Sequence, residues 1–107
     1  MGQSLGAINR NMSLTLTDRV AVRPDVIFRA LGAEAIVLNL EGGLYFGLDA
    51  VGSRIWALVE TQNLESASQT LAAEYDVSIE EARRDVVVFV QTLVDRGLLS
   101  RVAGTSA

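Results

Sequence analysis

Apolar positions in this chain first fall in short extended runs and then switch to helical spacing. Val26-Ile27-Phe28-Arg29-Ala30-Leu31 and Ala35-Ile36-Val37-Leu38-Asn39-Leu40 are rich in β-branched and aromatic residues and predict two strands, the second more apolar and so central. Gly32-Ala33-Glu34 turns between them. In Leu44-Tyr45-Phe46-Gly47-Leu48, the leucines and Phe46 alternate with Tyr45 and Gly47, which predicts a third strand with one face inward. Gly42-Gly43 ahead of it predicts a two-residue hairpin turn with positive φ at both glycines. Helical spacing takes over at Asp49, a capping residue. Residues 50–61 place Val51, Ile55, Leu58 and Val59 on one face, with Trp56 on the flank as a core aromatic. A second helix starts at Glu65 or Ser66 and ends at Tyr75, before the break at Asp76-Val77. Ser78 with Glu81 is a capping box opening a third helix that reaches Arg96, with Gly97 as its terminal glycine.

The flanks of this core are simpler. Residues 1–13 read as a flexible tail and 103–107 as a frayed end, leaving 14–102 as the domain. Residues 14–24 are extended in character, and Pro24 biases Arg23 away from helix. Leu98-Leu99 folds back as a short apolar tail. The expected architecture is α+β and winged-helix-like: a three-stranded antiparallel meander packed on three helices, with Leu44 to Leu48 at an open edge.

The third helix has more apolar surface than one core stripe needs. Ile79, Ala82, Val86, Phe89, Val90 and Leu93 form a broad face, while Val87 and Val94 lie on a shoulder in line with Arg83 and near Gln91. Either Leu98-Leu99 or the N-terminal arm covers that shoulder, or it walls a hydrophobic groove beside the sheet edge. Arg83 and Arg84 oppose the helix dipole at its start, so they pair with Glu80 or a neighbouring element, or meet an acidic partner. Tyr45 is either a cross-strand partner of Val37 or Asn39 or a ligand contact.

Composition narrows the chemistry. At 107 residues the chain is one small domain, and half its residues are apolar. It has no cysteine, histidine or lysine, so thiolate sites, disulfides and histidine bases are excluded. No phosphate loop is present, and the carboxylates read as caps or as charge-balanced helix surface. The expectation is a non-enzyme without cofactor or metal. A net charge of −4 argues against nucleic acid, and no apolar run is long enough for a membrane span. No signal peptide or myristoylation site opens the chain, and a cytoplasmic location fits.

One pattern resembles a known family. Asn39-Leu40-Glu41-Gly42-Gly43-Leu44-Tyr45-Phe46-Gly47-Leu48-Asp49, Gly52-x-x-Ile55-Trp56, Tyr75 near a helix end, Asp85-Val86, Phe89-Val90, Leu93 and Gly97-Leu98-Leu99 are together similar to the PqqD-like proteins. These are recognition elements for precursors of ribosomally made, modified peptides, and the tyrosine strand and Gly-x-x-Ile-Trp helix resemble the stand-alone members of lasso-peptide clusters. The resemblance spans about residues 22–99 and implies a non-catalytic adaptor. A precursor's leader segment would add antiparallel to the third strand and lie against the third helix, then pass to a leader-cleaving cysteine protease or other modifying enzyme. The implied peptide site is Leu44, Tyr45, Phe46, Gly47 and Leu48 on the strand, with Arg83, Arg84, Val87, Gln91 and Val94 on the helix. The adaptor would be a monomer or weak homodimer. The competing readings are a winged-helix DNA-binding protein and an interaction module that homodimerises through its edge strand.

Overall fold

The computed structural model of the protein describes residues 14–102. The elements run β1 (Val20–Val22), β2 (Val26–Leu31), β3 (Glu34–Asn39), β4 (Leu44–Leu48), α1 (Ala50–Val59), α2 (Leu64–Tyr75), α3 (Ile79–Asp95) and β5 (Leu99–Arg101). The residues read as tail and frayed end lie outside the described range. The expected antiparallel meander is present in the order β2-β3-β4. It is joined by a two-stranded sheet that sequence reading missed, in which β1 pairs with β5 through Val20↔Arg101 and Val22↔Leu99. The fold-back of Leu98-Leu99 therefore continues as a strand and clips the two ends of the domain together.

The hairpin before β4 also differs from expectation. Asn39 pairs with Leu44, so the loop holds four residues, 40 to 43. Only Gly43 of the two glycines has positive φ, at 70°. Asn39 organises the loop. Its Oδ1 accepts from the Glu41 and Gly42 amides at 3.0 and 3.3 Å, and its carbonyl accepts from Gly43 at 2.8 Å. An Asx side chain thus does the work that sequence reading assigned to a second left-handed glycine.

Helix ends follow their capping residues. Asp49, Asn63 and Ser78 each accept an amide from the first turn of α1, α2 and α3, at 2.8, 2.8 and 3.1 Å. The N-terminal arm contributes as well, since the amides of Leu64 and Glu65 donate to the carbonyls of Asp18 and Leu16. Asp76 in the left-handed region ends α2, and Gly97 at φ 79° follows α3.

The core lies between one face of the meander and the helices. Ala35, Val37 and Leu48 from the sheet meet Ile55, Trp56, Leu58 and Val59 of α1, Leu64, Ala67 and Leu71 of α2, and Val86, Val90 and Leu93 of α3. Trp56 is buried as expected and stacks on Phe28 with centroids 5.6 Å apart, tying α1 to β2. The opposite sheet face carries Ile27, Arg29, Leu31, Ile36, Leu38 and Tyr45 towards solvent.

Candidate peptide-binding trough

β4 is an edge strand, hydrogen-bonded to β3 alone among the described residues. Alternate backbone N–H and C=O groups on its far side are therefore open to an added strand. Its side chains taper from exposed to buried. Leu44 is 70 % exposed, Phe46 is half-buried, and Leu48 is part of the core at 4 %. Leu44 thus departs from the inward role its alternation predicted and lines a small hollow with Arg96 and Leu98. Tyr45, 73 % exposed, pairs across the strands with Leu38, not with Val37 or Asn39, and lies on the outer face. Gly47 pairs with Ile36, and a Cβ there would meet nothing within 4 Å.

Two hollows run along the inner side of this edge. One, an open volume of about 560 Å³, has Phe46 and Leu48's neighbour Asp49 on one bank. Val51, Gly52 and Ile55 of α1 form its floor, and Arg84, Asp85, Val88, Phe89 and Thr92 of α3 form the far bank. The other, about 100 Å³, lies between Asn39, Leu44, Tyr45, Phe46, Arg96 and Leu98. Phe46 lines both, and the Arg96 guanidinium sits over its ring, 5.2 Å from the centroid. Together the two hollows make a trough beside β4, with Leu44 and Arg96 at one end, Phe46 where they adjoin, and Asp49 and Arg84 at the other.

Gly52 explains how the floor is built. A Cβ at this position would come within 3.0 Å of Phe89 Cε1 and 3.2 Å of Asp49 Oδ1. The missing side chain lets the Phe89 ring lie against the first turn of α1, closing the trough from below. Phe89 and Gly52 are thus functional candidates that sequence reading did not name as site residues, although both belong to the pattern that resembles the PqqD-like proteins.

The helix residues expected at the site divide between two flanks. Arg84 lines the trough. Arg83 faces α2, where its Nε and Nη2 donate to the Glu65 carboxylate at 2.9 and 2.8 Å. Val87 and Val94 are half-buried and packed against the core, and Gln91 is buried with its amide donating to Asp95 at 2.9 Å. These four do not line the trough, which corrects their expected placement. The physical reason is that α3 has a shoulder on each side of its core face, and α2 takes the Arg83 side. The trough flank is instead Arg84, Val88 and Thr92, with Val88 61 % exposed. Hydrogen bonding to Arg83, then to Gln69, holds the Glu65 carboxyl below its ordinary range, and Glu65 in turn raises Arg83. Arg84 and Arg96 form no ion pair among the described residues.

The chain is similar in sequence and in fold to known proteins. The sequence profile of coenzyme PQQ synthesis protein D matches residues 34–99, well over half of the chain. Among solved structures, TbiB1 in complex with the TbiA(beta) leader peptide is 37 % identical, with a TM-score of 0.71 over 75 % of this chain and 94 % of that one. A lasso peptide synthetase B1 complexed with the leader peptide superimposes with a TM-score of 0.72 at 22 % identity, over 77 % of this chain and 98 % of that one. No curated protein matches at a significant level.

Proposed function

The chain belongs to the PqqD family, and from that premise we propose that it is a non-catalytic adaptor for a ribosomal precursor peptide. The leader segment adds as an antiparallel strand to β4 and lays alternate side chains into the trough. The adaptor then presents the peptide to a leader-cleaving protease or another modifying enzyme in the cytoplasm. The observation that carries this reading is the coincidence of an open strand edge, Leu44–Leu48, with an apolar trough beside the same strand, lined by Leu44, Tyr45 and Phe46 and continuing to Asp49. An edge alone invites any strand, and a trough alone invites any apolar group. Together they fit an extended peptide with alternating side chains.

The energetics suit a peptide that must later be released. Four or five backbone hydrogen bonds at about 0.5–1.5 kcal/mol each and two apolar anchors at about 1.5–3 kcal/mol each sum to ~6–12 kcal/mol. Ordering a disordered leader costs roughly 2–5 kcal/mol of that, which leaves high-nanomolar to weaker affinity.

The test is amide exchange on the protein with a peptide enriched from a displayed library of twelve-residue sequences. Protection gained at β4 amides in Leu44–Leu48 is the expected result. Protection confined to β2, the other edge of the meander, would place the peptide elsewhere and overturn the reading.

A further inference from the structure

The trough is electrically lopsided. At its Leu44 end, Arg96 is the sole charged side chain among Asn39, Leu44, Tyr45, Phe46 and Leu98. Its guanidinium carbon lies over the Phe46 ring, 5.2 Å from the centroid, and it forms no ion pair with a carboxylate among the described residues. A cation–π contact draws on the charge and needs no hydrogen-bond acceptor, so the N–H groups remain to donate. Neighbouring Asp95 makes no ion pair with it, and one oxygen of that carboxylate accepts from the Gln91 amide. The Leu48 end is the opposite. Arg84 is there outnumbered by Asp49 and Asp85, with one Asp49 oxygen occupied by the Gly52 amide.

We propose that the trough selects a peptide carrying a side-chain carboxylate at the Leu44 end and rejects one at the Leu48 end, with Arg96 as the residue that reads it. This rests on the strand-addition reading given above. Arg96 and Asp85 lie about 16 Å apart along α3 at ~1.5 Å per residue, a span an extended strand covers in about five residues. Because only alternate side chains face the trough, the acid lies two or four residues from the apolar side chains seated against Phe46 and Phe89. In an antiparallel strand it is on their C-terminal side, so charge fixes the direction and register that backbone hydrogen bonding alone leaves open.

The probe is a library of twelve-residue peptides displayed with their C-termini fused to the carrier, so that no terminal carboxylate is free. It is panned against the wild type, Arg96→Gln, Arg96→Glu and Val88→Asp. The wild type should enrich Asp or Glu on one side of an apolar pair. Arg96→Gln should lose that preference, and Arg96→Glu should replace it with Lys or Arg. A synthetic acidic peptide should bind the wild type about tenfold tighter than its amide counterpart, the scale of a half-exposed charge-assisted hydrogen bond. An acid preference that is absent in the wild type, or that survives in Arg96→Glu, overturns the inference. Peptides that depend on Val88 but show no charge preference would overturn it while leaving the adaptor reading intact. Peptides indifferent to Val88→Asp, or no enrichment at all, would overturn both.

Discussion

The two flanks of α3 start from nearly the same materials. Each has an arginine in the second turn, a valine one turn further on and a polar residue beyond that: Arg83, Val87 and Gln91 on one side, Arg84, Val88 and Thr92 on the other. The first set is consumed by folding. Arg83 clamps Glu65, Val87 packs on the core, and Gln91 is buried. The second set is left facing open space beside β4. One residue of rotation along the helix, about 100°, separates structural cement from a candidate binding wall.

Exchanging a charge between the flanks is the strongest way to break this contrast. Val88→Asp places a carboxylate on the trough wall, where a docked peptide would desolvate it. Affinity for an enriched peptide should fall by about 2 kcal/mol or more, with thermal stability close to wild type because Val88 is exposed. Val87→Asp should do the reverse, losing about 2 kcal/mol or more of folding stability through an unpaired charge at a half-buried site. Peptide titrations and thermal melts on both variants settle the matter. Stable Val87→Asp protein that no longer binds peptide would move the site to the α2 flank.

A smaller perturbation sharpens the comparison at the trough floor. Gly52→Ala puts a methyl group within 3.0 Å of Phe89, so the ring must shift by a few tenths of an ångström. Phe89 is half-buried and can yield towards the trough, which narrows it. The expected result is several-fold weaker peptide binding with about 1 kcal/mol or less lost in stability. A Gly52→Ala protein that unfolds readily but binds peptide normally would make this glycine a packing device only.

Much of this architecture was legible because local signals agreed with one another. Asp49, Ser78 and Gly97 marked helix ends, β-branched and aromatic runs marked the first two strands of the meander, and alternation marked the third. What escaped depends on distant parts of the chain. β1 and β5 are three-residue strands that exist only because each finds the other across the sequence, and nothing local in Leu99–Arg101 announces a strand. The hairpin length was misread because Gly42-Gly43 carries a two-residue signal, whereas the Asn39 side chain stabilises a four-residue loop. The strand expected at a sheet edge is there, and the hollow beside it is lined by Phe46 and Arg84. Which flank of α3 faces that hollow was not legible, because periodicity shows that a helix has two shoulders and is silent on which one a neighbouring helix will occupy.

The weakest expected effect concerns the clamp on the closed flank. Hydrogen bonds from Arg83 and Gln69 hold the Glu65 carboxyl below its ordinary range, and Arg54 does the same for Glu74 between α1 and α2. Both carboxyls therefore bind protons less readily folded than unfolded. Their stabilising contribution is complete above the unfolded value of about 4.3 and fades as pH falls through the lower folded value. The Arg54–Glu74 pair is exposed and the Arg83–Glu65 pair only partly buried, so the contribution is small and salt-sensitive. Melting temperatures of wild type and Glu65→Gln should differ by a constant small amount near neutrality and converge below about pH 4. Peptide affinity near neutrality should be the same in the two proteins, because Glu65 lies on the far side of α3 from the trough. A Glu65→Gln protein that melts like wild type but binds peptide more weakly would show that the two flanks are coupled, with α2 setting the rotation of α3 and through it the width of the trough.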